Sequence, residues 1–247
     1  MQIKFLYLAL EGKDYDIENP CLVSDFDFQT GFMFDYFEKS LKANKFIADD
    51  FQFITIRGRK NPSKSVVLKE HFKSLEIEIL FDEEKYFQLY PYENKYPLEG
   101  LLKPVLKEKE FNNFLFKMVM EGLEKGKEQK APIPFDFLIN ACLDFKLNGF
   151  KNEWLYKTKA FKEYGIKASL FCKLTCNYFS LELMIEENKK EVFRKEILKT
   201  LPSNLIYKPL FKDIIIEKGE LIITSADLEN PILYKMLLSK ILSVNKK

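Results

Sequence analysis

Several short segments of the chain alternate between apolar and polar residues, the pattern of a strand with one dry and one solvated face. In Ser74–Phe81, for example, Glu76 and Glu78 alternate with leucine and isoleucine. Strands are also predicted over Phe51–Ile56, Lys64–Glu70, Lys85–Tyr90, Ile166–Cys176, Tyr178–Ile185 and Glu191–Ile197, and the apolar run Ile3–Leu10 predicts a strand that is buried on both faces. Because many of these strands follow one another closely, we expect them to pair as antiparallel sheets.

Other segments place apolar residues three and four positions apart, the spacing of one helix face. Phe34, Phe37 and Leu41 share such a face in Phe32–Asn44. Helices are likewise predicted over Phe111–Lys125, Phe137–Asn148 and Pro231–Val244. Pro231 suits the first turn of a helix, because an N–H at that position has no intrahelical partner in any case.

Two of these helices contain the same pattern, Asn-x-x-Leu-aromatic-Lys-Met, at Asn112–Met120 and Asn230–Leu238. Three further pairs of similar segments occur in the same order along the chain. They are Leu101–Glu108 with Ile206–Asp213, Ser74–Ile79 with Ser180–Ile185, and Lys42–Phe46 with Lys146–Phe150. Matches that keep their order favour an internal duplication. Coincidence is the alternative in a chain rich in Phe, Leu and Lys.

The duplication predicts an α+β fold made of two tandem copies of a helix–antiparallel sheet–helix unit. The first copy, which includes an N-terminal strand, occupies residues 1–126, and the second occupies residues 127–247. Polar residues followed by prolines at residues 126–134 indicate the boundary between them. Ile214–Thr224 reads as an extra β-hairpin that the second copy alone contains.

The composition is that of a globular protein with a large core, because 47% of the 247 residues are hydrophobic and 24 are Phe. A formal net charge of +2 does not indicate a nucleic-acid-binding surface. No segment reaches the ~18 apolar residues of a membrane span, and the N-terminus lacks a signal-peptide pattern. The four cysteines have no metal-binding spacing. We therefore expect a cytoplasmic chain with reduced thiols.

An acid-rich segment, Lys13–Phe28, is predicted to form a loop. Its residues Asp14, Asp16 and Glu18 are spaced like the opening of a calcium-binding loop. The match is incomplete, since Asn19 stands where such a loop needs glycine. These three side chains are candidate ligands of a divalent metal, and a solvated loop is the alternative.

A short basic segment follows the strand predicted at Phe51–Ile56. Arg57, Arg59 and Lys60 are expected to form a turn whose cations could contact phosphate. A nucleic-acid-binding surface usually has a wider basic face, so a solvated hairpin turn is the favoured interpretation.

Tyrosines cluster beside a proline-rich segment at Tyr90, Tyr92 and Tyr96. A tyrosine ring buries a large area at low entropic cost and keeps its hydroxyl available for hydrogen bonding. These three residues are therefore the predicted contact surface for a partner, with simple packing as the alternative.

The chain contains no Gly-rich phosphate loop, G-x-S-x-G elbow or H-E-x-x-H motif. Its single histidine, His71, excludes a mechanism that needs paired histidines. We therefore expect a non-enzymatic cytoplasmic protein that binds another protein, such as an immunity-type inhibitor of a toxin or a chaperone-like escort. The alternative is a metal-dependent hydrolase or nuclease that uses the acidic loop. We expect no cofactor and no membrane contact, nucleic acid is the less favoured partner, and a homo-oligomer is compatible with the sequence.

Overall fold

The computed structural model describes residues 1–15, 21–90 and 104–242. The chain divides into two compact units, Met1–Asn152 (unit 1) and Glu153–Lys247 (unit 2). The sequence had indicated a division between residues 126 and 127. The mixed α+β class is confirmed, because the described residues form helices and several sheets.

Unit 1 is built from these elements: β1 (Phe5–Leu10), α1 (Gly12–Tyr15), α2 (Leu22–Asn44), β2 (Phe53–Arg59), β3 (Val67–Lys69), β4 (Ser74–Leu80), α3 (Glu83–Leu89), α4 (Glu108–Glu128) and α5 (Phe135–Leu147). The sheet order is β1-β2-β4-β3. Strands β1, β2 and β4 run parallel, and only β3 is antiparallel to its neighbour. The predicted antiparallel sheet is therefore wrong for this unit. The long helix α2 returns the chain to the starting end of the sheet, as a parallel connection requires.

Helix α4 lies close against one face of this sheet. That face includes Leu8, Ile56 and Ile77, all fully buried and side by side on the three parallel strands. A Cβ atom at Gly122 would lie 2.6 Å from Ile56 Cγ2, and one at Gly126 would lie 2.9 Å from Ile77 Cδ1. The two glycines thus allow a close approach of helix and sheet. The predicted helix ended at Lys125, whereas Gly126 lies inside α4.

Unit 2 follows with β5 (Asn152–Phe161), β6 (Ile166–Leu174), β7 (Phe179–Glu187), β8 (Lys190–Thr200), α6 (Asn204–Tyr207), β9 (Asp213–Glu217), β10 (Glu220–Thr224), β11 (Ile232–Leu237) and α7 (Ser239–Leu242). The first four strands form one sheet in the order β5-β6-β7-β8. Strand β7 is antiparallel to both β6 and β8. A second sheet has the order β11-β10-β9. Its β9–β10 hairpin confirms the one predicted at Ile214–Thr224.

A stack of three aromatic rings lies in the core of unit 2. The ring of Phe179, the first residue of β7, is parallel to that of Tyr207 at a centroid distance of 3.9 Å. It is also parallel to Phe211 at 5.5 Å. All three residues are buried, together with Leu170 and Leu183 of the neighbouring strands. The stack anchors the segment between the two sheets of unit 2 to β7.

The helix predicted over Pro231–Val244 is wrong. Ile232–Leu237 is strand β11, which pairs antiparallel with β10, and the short helix α7 follows it within the residues described up to 242. The segment that matches it in sequence, Asn112–Met120, lies within α4. Because the two matching segments differ in secondary structure, the tandem duplication is not confirmed.

The strand predicted over Lys85–Tyr90 is also wrong, because these residues form most of helix α3 and its C-cap. Asp82 caps the helix by accepting a hydrogen bond from the Lys85 N–H at 2.9 Å. Tyr86, Leu89 and Tyr90 are buried, at the three- and four-residue spacing of a helix face. Helix α2 likewise begins at Leu22, inside the segment predicted as a loop.

Candidate functional site at the carboxyl ends of the parallel strands

Charged side chains of two parallel strands, and of the segment that follows a third, meet towards the carboxyl ends of the strands. In open sheets with parallel strands this end is the usual place for a ligand. Six residues form the cluster, here called the charge network: Glu11, Asp14, Arg57, Arg59, Glu76 and Glu78. Their positions across the sheet follow the strand order β1-β2-β4. Glu11 and Asp14 come after β1, the two arginines lie on β2, and Glu76 and Glu78 lie on β4.

Each arginine is held by a carboxylate of the neighbouring strand. Arg57 Nη2 donates to Glu76 Oε1 at 2.8 Å, and Arg59 Nη1 donates to Glu78 Oε1 at 2.9 Å. Arg59 Nε also donates to Asp14 Oδ2 at 2.9 Å. The two arginines project from the same face of β2 because they are two residues apart. The parallel register of β2 and β4 then brings one glutamate to each of them.

Glu11 is less tightly bound than the other carboxylates. Its Oε2 atom lies 3.8 Å from Arg57 Nε and 3.8 Å from Arg59 Nη1. These separations are ion pairs but exceed hydrogen-bond length. Arg57 Nε is buried and has no hydrogen-bond acceptor among the described residues. The space between Glu11 and the two arginines is therefore the part of the network whose hydrogen bonding is incomplete.

The network carries an excess of negative charge. Its four carboxylates face two guanidinium groups. Lys60 adds a cation near Asp14 and Asp27 adds a carboxyl near Arg57, so two negative charges still are not balanced. Burial raises the pKa of the Asp14 carboxyl, but hydrogen bonds from Arg59 and from the Lys60 N–H outweigh burial and bring the pKa below its ordinary value. The hydrogen bond to Asp14 raises the pKa of Arg59 in turn. Asp14 and Arg59 therefore stay charged across the neutral range.

The carboxylates are only partly accessible. The Glu76 side chain is 9% exposed and the Glu11 side chain is 22% exposed. Partial burial strengthens electrostatic interactions relative to open solvent, since the local dielectric is lower. A cation that reaches Glu11 would therefore interact more strongly than at an exposed surface carboxylate.

The predicted metal ligands are only partly within the described residues. Asp14 accepts hydrogen bonds from Arg59 and from the Lys60 N–H, which occupy both of its oxygen atoms. Asp16 and Glu18 lie outside the described residues. Within residues 1–15, 21–90 and 104–242, no group of three or more His, Cys, Asp and Glu side chains is arranged to hold a metal ion.

The predicted basic turn is wrong in its secondary structure, since Arg57 and Arg59 belong to β2. The strand continues because β4 pairs with it as far as Arg59. Lys60 follows the strand, and its Nζ lies 5.3 Å from the centroid of the Tyr15 ring. The structure thus brings the arginines together with Asp14, and their guanidinium groups bind carboxylates of this chain.

The predicted tyrosine surface is described only at Tyr90. This residue is 2% exposed, and its hydroxyl donates to Asp25 Oδ2 at 2.9 Å. Tyr90 therefore packs in the core of unit 1 and does not present its ring to a partner. Tyr92 and Tyr96 lie outside the described residues.

Sequence reasoning treated Glu76 and Glu78 as solvated residues on the wet face of a strand and did not single out Glu11. The alternating pattern correctly separated both glutamates from the apolar face, but Glu76 is buried and not solvated as predicted. The pattern does not show which strand lies beside β4, so the ion pairs of the two glutamates could not be predicted. The signal was the matching alternation of Arg57 and Arg59, which becomes informative once β2 and β4 are known to pair.

Comparisons of the chain with protein-family models, with curated proteins and with solved structures find no match. None of the helices in the described part of the chain is both long enough and apolar enough to cross a membrane.

Proposed function

We propose that this chain is a non-enzymatic cytoplasmic protein that binds another protein, and that the charge network receives a basic side chain of the partner. The observation that carries the proposal is the excess of two negative charges at the carboxyl ends of three parallel strands. A partner lysine or arginine beside Glu11 would reduce that excess.

The arginines of the network would help such binding by holding in place the three carboxylates around Glu11. Glu76, Glu78 and Asp14 are each fixed by a hydrogen bond from a guanidinium group. A fixed carboxylate loses little conformational freedom when a partner binds, so less of the interaction energy is offset by ordering. Charge complementarity of this kind contributes chiefly to association rate and specificity.

The same hydrogen bonds argue against acid–base catalysis by Asp14. A general acid near neutral pH needs a raised carboxyl pKa, whereas the pKa of Asp14 is lowered by its bonds to Arg59 and the Lys60 N–H despite burial. An immunity-type inhibitor and a chaperone-like escort both belong to the proposed class, and the fate of the bound partner distinguishes them.

The test is to purify the tagged chain from its native host, identify any stoichiometric protein partner, and measure its affinity. We expect the substitution Glu11→Gln to weaken binding by about tenfold at low salt and by less at high salt. Glu163→Gln, at an exposed position of unit 2, is the matched control and should leave the affinity unchanged. The absence of any stoichiometric partner, or an unchanged affinity for Glu11→Gln, would contradict the proposal.

A metal-dependent hydrolase or nuclease is the second proposal. The observation in its favour is that Asp14 follows β1 at the carboxyl ends of the parallel strands, the end at which open sheets of this kind usually bind ligands. Calorimetric titration with calcium, magnesium and manganese tests it. Binding heat that disappears in Asp14→Asn would support a metal site that includes Asp14, and the absence of heat with all three ions would dispose of it.

A further inference from the structure

Strand β8 forms one edge of the four-stranded sheet of unit 2 and is eleven residues long. Within the described residues its only strand partner is β7, and no backbone hydrogen bond joins it to another segment. An edge strand of this kind presents N–H and C=O groups that can pair with a strand of another chain.

The register with β7 assigns the side chains of β8 to the two faces of the sheet. The odd-numbered residues of β7 from Phe179 to Ile185 are fully buried, so their face is the inner one. Residues of β8 that stand opposite the even-numbered residues of β7 therefore lie on the outer face. These outer residues are Glu191, Arg194, Glu196 and Lys199.

The charges on the outer face are complementary when β8 is read in both directions from Lys195. Glu191 and Lys199 are equally far from Lys195, and so are Arg194 and Glu196. In an antiparallel pair of identical strands related by a twofold axis, each residue faces the one equally far on the other side of the axis. An axis at Lys195 would therefore give four cross-strand pairs of opposite charge.

The irregularities of β8 follow the same symmetry. Two register shifts against β7 leave one extra residue of β8 at Val192 and another at Ile197. Bulges of this kind usually keep an edge strand from pairing with a straight strand. Here the doublets Val192-Phe193 and Ile197-Leu198 are equally far from Lys195, so apolar doublets would face each other across the axis. The edge therefore fits a second copy of β8 better than an unrelated straight strand.

One glutamate of this edge lacks a cation in the single chain. Glu196 stands directly opposite Glu182 of β7, a position at which like charges repel. Arg194 binds Glu182 and Glu191, whereas Glu196 is exposed and has no ion pair or hydrogen bond within the described residues. The axis at Lys195 would bring Arg194 of a second copy opposite Glu196.

Lys195 is the position that this arrangement does not favour, because it would face its own copy. Its side chain lies on the inner face, opposite Leu183. The Nζ atom is 4.9 Å from the centroid of the Tyr234 ring, a distance at which the ring attracts the ammonium group. One pair of like charges thus opposes four pairs of opposite charge.

We propose that β8 pairs antiparallel with β8 of a second copy of this chain about a twofold axis at Lys195, so that the two four-stranded sheets form one sheet of eight strands. Because one strand of each copy forms this contact, we expect a weak dimer with a Kd on the order of tens of micromolar. The interface lies on unit 2 and does not depend on the charge network of unit 1.

Reversing charges across the axis tests the proposal. In Glu191→Lys and in Lys199→Glu, two pairs of opposite charge become pairs of like charge. Each variant alone should dimerise about tenfold more weakly than the wild type at low salt. An equimolar mixture should recover dimerisation, because the new lysine of one variant would face the new glutamate of the other. Sedimentation velocity of the full chain over a series of concentrations measures all of these states.

A further variant separates dimerisation from folding. Glu196→Lys removes the repulsion by Glu182 within the chain, so the urea midpoint should not fall. The same substitution places a cation opposite Arg194 of the second copy and should weaken the dimer about tenfold. A dimer of Glu196→Lys as strong as that of the wild type would overturn the proposal.

Two controls make the same charge reversals at exposed positions outside β8. Glu163→Lys and Lys162→Glu should dimerise like the wild type, alone and mixed. A wild type that stays monomeric throughout the series would overturn the proposal. A dimer that Glu191→Lys or Lys199→Glu leaves unchanged, or a mixture of these two that dimerises as weakly as its components, would overturn it as well. The result for Glu11→Gln concerns the partner of unit 1 and is a separate measurement.

Discussion

Two short segments with the same sequence pattern differ completely in structure. Asn112–Met120 lies in helix α4, where Leu115, Met118 and Val119 face the core. Asn230–Leu238 contains β11, whose backbone pairs with β10. The comparison teaches that the pattern is compatible with both structures. The element that each segment contacts determines its secondary structure. Helix α4 packs on a buried parallel sheet, whereas β11 pairs with β10.

The largest expected effect concerns the aromatic stack in the core of unit 2. Phe179→Ala removes the central ring of the stack with Tyr207 and Phe211, and should lower the free energy of unfolding by about 3–5 kcal/mol. Hydrogen exchange should become faster in β6, β7 and β8 and stay unchanged in β1, β2 and β4. Tyr164→Ala, at a partly exposed ring of the same unit, is the control and should change little. Equal effects of Phe179→Ala and Tyr164→Ala on the protection of β6, β7 and β8 would contradict the role of the stack.

The next largest effect tests the close packing of helix α4 on the sheet of unit 1. Gly122→Val places side-chain atoms where Ile56 already lies, and should lower the free energy of unfolding by about 1–3 kcal/mol. Glu121→Val introduces the same side chain at the neighbouring exposed position and should cost less than about 1 kcal/mol through helix propensity alone. Urea denaturation measures both. Equal costs would show that α4 does not approach the sheet at Gly122.

A third experiment compares an ion pair of unit 1 with one of unit 2 at the same length. Arg57–Glu76 and Lys167–Glu186 are both 2.8 Å long, but their side chains are 23% and 9% exposed in the first pair and 52% and 22% in the second. Glu76→Gln should cost about 1–3 kcal/mol because a partly buried guanidinium loses its charged partner. Glu186→Gln should cost less than about 1 kcal/mol. Urea midpoints measure the difference, and the reverse order would be incompatible with the burial described for the charge network.

The smallest effect is the pH dependence from Asp14. Its pKa in the folded chain is below the ordinary 3.8, since its bonds to Arg59 and the Lys60 N–H outweigh burial. The folded state therefore binds fewer protons than the unfolded state between the two pKa values, and this part of the stability is present above pH 3.8 and lost as the pH falls through the folded pKa.

The stability difference between the wild type and Asp14→Asn should accordingly narrow as the pH is lowered below 3.8. Urea midpoints at several pH values measure it. Asp136→Asn, at a side chain that is 89% exposed, is the control for removal of a surface carboxylate. A constant difference for Asp14→Asn over the acid range would mean that its carboxylate is not held by Arg59.

The sequence was sufficient to predict those helices and strands whose hydrophobic pattern fits only one type of secondary structure. The helical spacing in α4 and α5 and the hairpin of β9 and β10 were predicted near their observed positions. The turn of that hairpin is marked by Lys218 and Gly219, both with positive φ. These signals are local, so no knowledge of the tertiary partners was needed.

The sequence was insufficient where the structure of a segment depends on the element that it packs against or pairs with. In Lys85–Tyr90 the aromatic residues fit a strand as well as the face of α3. The direction of β1, β2 and β4 depends on the path of α2 and not on the residues of the strands. For the same reason the sequence predicted Asp14 and the two arginines as parts of two different candidate sites. Only the parallel pairing of β1 and β2 shows that Arg57 and Arg59 lie beside the residues that follow β1.

The most direct test of the comparison is the secondary structure of its two segments in solution. Backbone ¹³C chemical shifts of the full chain should be those of a strand at Ile232–Leu237 and those of a helix at Glu108–Glu128. Nuclear Overhauser contacts should join Ile222 to Lys235 across the β10–β11 pair. Helical shifts at Ile232–Leu237, without contacts to β10, would contradict the account and restore the two matching segments as equivalent helices.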